Sequence, residues 1–162
     1  MNEDLSEMAS AYAMFRGLEL TGYLGSGLEG TVWKVRGKQK HIAWALKMQR
    51  ESAGYRRERD CYERLLEHGI TEVAGFNVRV LVHADDQWRT IEMSIVDRPF
   101  IVDFAQAYLD EPPDFPPEVW AERRETWERS YGGRWPEVRR ALAALESMGI
   151  YYLDVHRNNV AL

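Results

Sequence analysis

A glycine-rich run with a strand lysine at a fixed distance beyond it constrains this chain more than any other feature. The run reads Leu24-Gly25-Ser26-Gly27-Leu28-Glu29-Gly30-Thr31-Val32, and Ala45-Leu46-Lys47 begins fifteen residues after its last glycine. Glycine has no side chain, so backbone N–H groups in such a loop can approach a phosphate closely. Dinucleotide-binding folds use the same glycine spacing, but there the loop opens a helix. Here it runs into Thr31-Val32-Trp33-Lys34-Val35, an alternation of β-branched and aromatic residues that predicts a strand. His41 to Lys47 predicts the next strand, after a turn near Gly37, and Leu18 to Leu24 predicts the one before.

Around this frame the remaining elements follow from periodicity. Leu5, Met8, Tyr12 and Phe15 recur at helical spacing and predict a short helix over 3–16. Glu51 to His68 predicts a longer helix with an apolar stripe of Tyr55, Tyr62, Leu65 and Leu66, stopped by Gly69. Glu58 shares that stripe. A carboxylate on the buried side of a helix needs a partner, and Lys47 is the expected one. Glu51 and Glu63 compete with Glu58 for that place, and the plain alternative is a solvated charge. Val78–His83 and Arg89–Val96 predict a hairpin. Phe100 to Ala105 predicts a buried strand ending in Asp-Phe-Ala. The proline-rich stretch 110–117 is the main linker. A helix bearing Trp120, Trp127 and Tyr131 follows and stops at Gly132-Gly133. Pro136 opens the last helix, with a core face of Val138, Leu142, Leu145 and Met148.

The order of these parts resembles the protein kinase-like superfamily, in a minimal or truncated form akin to bacterial Ser/Thr kinase-like proteins. Glycine loop, strand lysine and helix glutamate come in the family's order, and Asp154 and Asn159 keep the Asp-x4-Asn spacing of its catalytic loop. The loop departs from the pattern at Tyr152, Leu153 and His156, where many protein kinases carry His, Arg and Lys. The resemblance covers about residues 18–162. It implies an α+β fold: a kinase-like N-lobe over 1–98, with an antiparallel sheet and one long helix, and a strongly reduced helical C-lobe over 99–162. It implies an ATP-binding protein that transfers the γ-phosphate to a hydroxyl of a protein or a small molecule, with magnesium. The alternative is a pseudokinase, a nucleotide-binding or protein-interaction module without catalysis. Lys47 would hold the phosphates, Glu58 would hold Lys47, Asp154 would accept the hydroxyl proton and Asn159 would bind magnesium. Gly25, Ser26, Gly27, Gly30, Val32 and Ala45 would surround the nucleotide. Met93 would stand beside the base, and Ser94 and Val96 would form the hinge. His156 or Arg157 could supply the charge of the missing lysine. The plain alternative for Asp154 and Asn159 is a pair that caps a turn.

No Asp-Phe-Gly follows Asn159 before Leu162. Asp103, within Asp103-Phe104-Ala105, is read in two ways. The plainer is a carboxylate at the lip of the pocket, facing ribose hydroxyls or water. The other is a displaced magnesium ligand. Composition narrows the partners. The net charge of −5 favours neither nucleic acid nor an anionic membrane surface. The single cysteine, Cys61, excludes an internal disulfide and fits a reducing compartment. The acidic start Met1-Asn2-Glu3-Asp4, with no apolar segment after it, makes a cytoplasmic protein the expectation. Six tryptophans either fill a small core, the preferred reading, or leave an apolar face for a protein partner or a homodimer.

Overall fold

The computed structural model describes residues 5–39 and 41–162, so the first two residues of the helix predicted over 3–16 lie outside the described residues. In chain order the elements are α1 (Leu5–Arg16), β1 (Leu18–Ser26), β2 (Gly30–Gly37), β3 (Ala43–Gln49), α2 (Ser52–Glu67), β4 (Glu72–Val73), β5 (Phe76–Val78), β6 (Leu81–Asp85), β7 (Thr90–Met93), β8 (Phe100–Ile101), β9 (Tyr108–Leu109), α3 (Pro117–Tyr131), α4 (Trp135–Ser147), β10 (Ile150–Tyr151) and β11 (Val160–Ala161). The fold is α+β. Its main sheet is antiparallel, in the order β1-β2-β3-β7-β6.

Strand β3 explains how the sheet is covered on both faces. Every residue from Trp44 to Gln49 is buried, and successive side chains point to opposite sides. Trp44, Leu46 and Met48 join Trp33 and Val35 in a core beneath α1. Ala45 faces the larger core formed by α2, the short strands and α4. Lys47 shares that second face. On the α1 side, fully buried Glu92 accepts hydrogen bonds from Tyr12 Oη (2.8 Å), Trp44 Nε1 (2.8 Å) and Arg16 Nε (3.1 Å). Those bonds fix the rotation of α1. Its small residues Ala9 and Ala13 turn inward, while Phe15, expected in the stripe, is 70% exposed and stacks on Trp88.

The hairpin is shorter than predicted, because Val78 belongs to β5 in a second sheet. That sheet runs β11-β8-β5-β4, with β5 and β8 parallel and β8 and β11 antiparallel. It crosses the boundary expected at residue 98, since β4 and β5 precede that residue. Of the buried strand predicted over 100–105, only Phe100 and Ile101 pair as strand, and Asp103 turns with φ +66°. A third pairing joins β9 to β10. None of the tryptophans is exposed: Trp33, Trp44 and Trp135 are buried, and Trp88, Trp120 and Trp127 half-buried. Among the described residues no helix is long and apolar enough to cross a membrane.

Candidate functional site

A cleft of about 440 Å³ opens between the glycine loop and the second sheet. The loop closes on itself through Gly27 N–H donating to Gly30 O at 2.9 Å. Gly30 is required by close packing: a Cβ there would stand 2.2 Å from Met48 O. Below the loop, the alternation of β3 aims Lys47 at α2, and Glu58 meets it from one turn above Tyr62. Lys47 Nζ lies 2.7 Å from Glu58 Oε2 and 2.9 Å from Asp103 Oδ1. Gln49 Nε2 donates to the same Glu58 oxygen.

The second sheet supplies the floor. Val102 N–H, just past β8, donates to Asn159 O at 2.9 Å, so the turn carrying Asp103 and the loop carrying Asn159 lie side by side. Asn159 Nδ2 donates to Asp154 Oδ2 at 2.7 Å, and His156 Nε2 stands 3.5 Å from Asp154 Oδ1. Three rings support this floor. Phe104 packs edge-on between Tyr62 (5.1 Å between centroids) and Tyr152 (5.3 Å). Tyr152 Oη donates to Val102 O at 2.6 Å, which pins the backbone ahead of Asp103. Glu29 in the glycine loop accepts from Gln106 Nε2 at 3.3 Å, a tie between roof and floor.

Charge in the cleft is coupled. Burial works against the Lys47 cation, but Glu58 and then Asp103 outweigh it and raise its pKa, so the ammonium stays charged. Burial pushes Glu58 up to about 7 against the pull of Lys47, and Asp103 adds to the rise. Tyr62 and Tyr152 are raised well above 10 by burial and stay neutral.

Of the residues expected at the site, Gly25, Ser26, Gly27, Gly30, Val32, Lys47, Glu58, Met93, Asp103, Asp154 and Asn159 line this one cleft. Ala45, Ser94 and Val96 lie outside its lining. Ala45 is fully buried mid-sheet opposite Met93, and both Ser94 N–H and Oγ are bonded to the backbone of Val80. Arg157 is also turned away, donating twice to Ser130 O, which leaves His156 as the basic side chain of that loop in the cleft. Asp103 sits on the floor against Lys47. Sequence reasoning missed Glu29, Tyr62, Arg79, Gln106 and Asn158 as lining residues. Tyr62 carried a signal, being four residues from Glu58 on one helix face. Arg79 carried none, because its aim depends on the break between β5 and β6.

Among the described residues, no group of three or more His, Cys, Asp or Glu side chains is placed to hold a metal ion alone. Comparison of the sequence with models of known protein families and with curated proteins finds no match.

Proposed function

We propose that the chain is a kinase-like phosphotransferase that binds a nucleoside triphosphate, ATP on the resemblance alone, and passes its γ-phosphoryl group to a hydroxyl. One observation carries this reading. Lys47 bridges Glu58 and Asp103 in the same cleft that holds Asp154 and Asn159, beneath a glycine loop. These residues come from four separate stretches of chain, and a turn cap would not require them to converge. The α+β architecture, with its five-stranded antiparallel sheet and one long helix behind the lysine, supports the kinase-like reading of the fold.

Phosphoryl transfer asks the protein for positioning and charge neutralisation. Lys47 meets the α- and β-phosphate oxygens, held in place by Glu58. Glycine-loop N–H groups cover the phosphates. Asp154 accepts the proton of the acceptor hydroxyl as its oxygen bonds to the γ-phosphorus and the bridging β–γ oxygen departs with the nucleoside diphosphate. His156 lends its imidazole beside Asp154. The donor set fits magnesium, a hard cation that takes one or two carboxylates plus phosphate oxygens. Asp103 and the Asn159 Oδ1, left free by the bond from its Nδ2 to Asp154, would hold it. Bound there with the phosphates, magnesium supplies charge neutralisation.

The test is a magnesium-dependent rise in melting temperature with nucleoside triphosphate, followed by an assay for labelled phosphate on the chain itself or on added hydroxyl acceptors. Lys47→Met should abolish the rise and the transfer. Saturating triphosphate with magnesium that leaves the unmutated chain's melting temperature unchanged sinks the reading. Binding without transfer to any acceptor favours the pseudokinase alternative.

A further inference from the structure

Arg79 is a cation in the cleft that the phosphate chemistry does not use. It lines the cleft with Met93 and Val102, and it is half-buried. Its Nε is buried without a hydrogen-bond partner, and among the described residues no carboxylate pairs with it. An arginine carries five N–H donors in a planar fork and no acceptor, so a guanidinium with Tyr62 beside it and no carboxylate partner in a cleft can serve as a recognition group for acceptors.

Backbone pairing fixes where that fork sits. The residue before it, Val78, pairs with Ile101, and the residue after it, Val80, exchanges two hydrogen bonds with Ser94 (2.8 and 2.9 Å). Arg79 therefore lines the cleft beside Val102 and Met93. Met93 lies opposite Ala45, whereas Ile91 lies opposite Lys47. That places Met93 two residues along the strands from the lysine, about 7 Å at the rise of a β-strand. With the phosphates at Lys47, the Arg79 end of the cleft is the end that receives the base.

We propose that Arg79 sets the base preference, and that the cleft takes a guanine nucleotide ahead of an adenine nucleotide. This rests on reading the cleft as a nucleotide site. Guanine presents two acceptors side by side, O6 and N7, which a guanidinium fork meets bidentately. Adenine replaces O6 with an amino donor. Two donors then face each other, and the fork keeps an unmet N–H.

The experiment is calorimetric titration of the full chain with the magnesium complexes of GTP, ITP, ATP and 7-deaza-GTP. GTP and ITP, which share O6 and N7, should bind on the order of tenfold more tightly than ATP. The 7-deaza analogue, lacking the N7 acceptor, should lose most of that advantage. Arg79→Met and Arg79→Lys should each bring the GTP-to-ATP ratio close to one, the second because it keeps the charge and loses the fork. ATP binding as tightly as GTP in the unmutated chain overturns the assignment while leaving the nucleotide reading intact. So does a preference unchanged in both variants. If none of the four triphosphates binds, both the base assignment and the nucleotide reading fall.

Discussion

Asp154 and Asn159 share one hydrogen bond, and that bond separates their work. The amide nitrogen of Asn159 occupies Asp154 Oδ2, so on the proposed function Asp154 Oδ1 is the oxygen that would meet an acceptor hydroxyl, with His156 beside it. Asp154→Asn should leave nucleotide affinity unchanged and slow phosphate transfer by about 10²- to 10⁴-fold, the usual worth of a general base. Titration alongside a turnover assay checks it; an equal loss in both would make Asp154 a binding residue. Glu58 offers a second test. Its folded pKa, about 7, lies above the ordinary carboxylate value of 4.5, so the folded state binds the proton more tightly than the unfolded chain does. Stability from this group is complete below the unfolded value and is lost as pH rises from about 4.5 through 7. Glu58→Gln removes that titration. Its cost in melting temperature should therefore shrink as pH is raised across that window, and a cost that grows instead contradicts the burial argument. The Lys47–Glu58 pair was legible in the sequence, because a strand lysine and a carboxylate on a helix's buried stripe each need the other. The place of Asp103 was not. Whether it stands at the lip or on the floor depends on which strand β8 joins, and two paired residues leave too short a pattern to show that.

The long strands of the amino-terminal sheet were legible from their own residues. β2 alternates buried and exposed side chains, which the period of two records directly, while β3 is a near-continuous run buried on both faces. Of the short strands, β8, β9, β10 and β11 are held by partners distant in sequence, and β4 and β5 are only two and three residues long, so nothing local marks them. The glycine loop also shows what sequence alone hides, since its glycines are not equivalent. At Gly30 a Cβ would press on the Met48 backbone, whereas at Gly27 it would meet nothing within 4 Å. Gly30→Ala should force β2 away from β3 and cost about 1–3 kcal/mol, the usual range for overpacking. Gly27→Ala should leave stability nearly unchanged. Denaturant midpoints of the two variants decide it, and equal midpoints would show that β2 accommodates the methyl group.

At the scale of the whole molecule, three separate stretches meet in one small sheet: Asn77-Val78, Phe100-Ile101 and Val160-Ala161. The carboxylate of Asp103 and the amide of Asn159 are neighbours only when that sheet has formed. Pairings so distant in the chain are reached late in folding, after local hairpins have closed. The amide proton of Val102, bonded to Asn159 O, should therefore exchange with deuterium only through opening of the whole molecule, as slowly as amides in the centre of β3. Exchange as fast as at the ends of α1 would show that the floor opens by itself. The same arrangement sets a timetable during synthesis. When Lys47 and Glu58 have left the ribosome they can already pair, but their cleft has no floor until the residues around 160 arrive. A nascent chain in that interval carries a roof over nothing, and on the proposed function a nucleotide can stabilise the cleft only after the residues around 160 have been made.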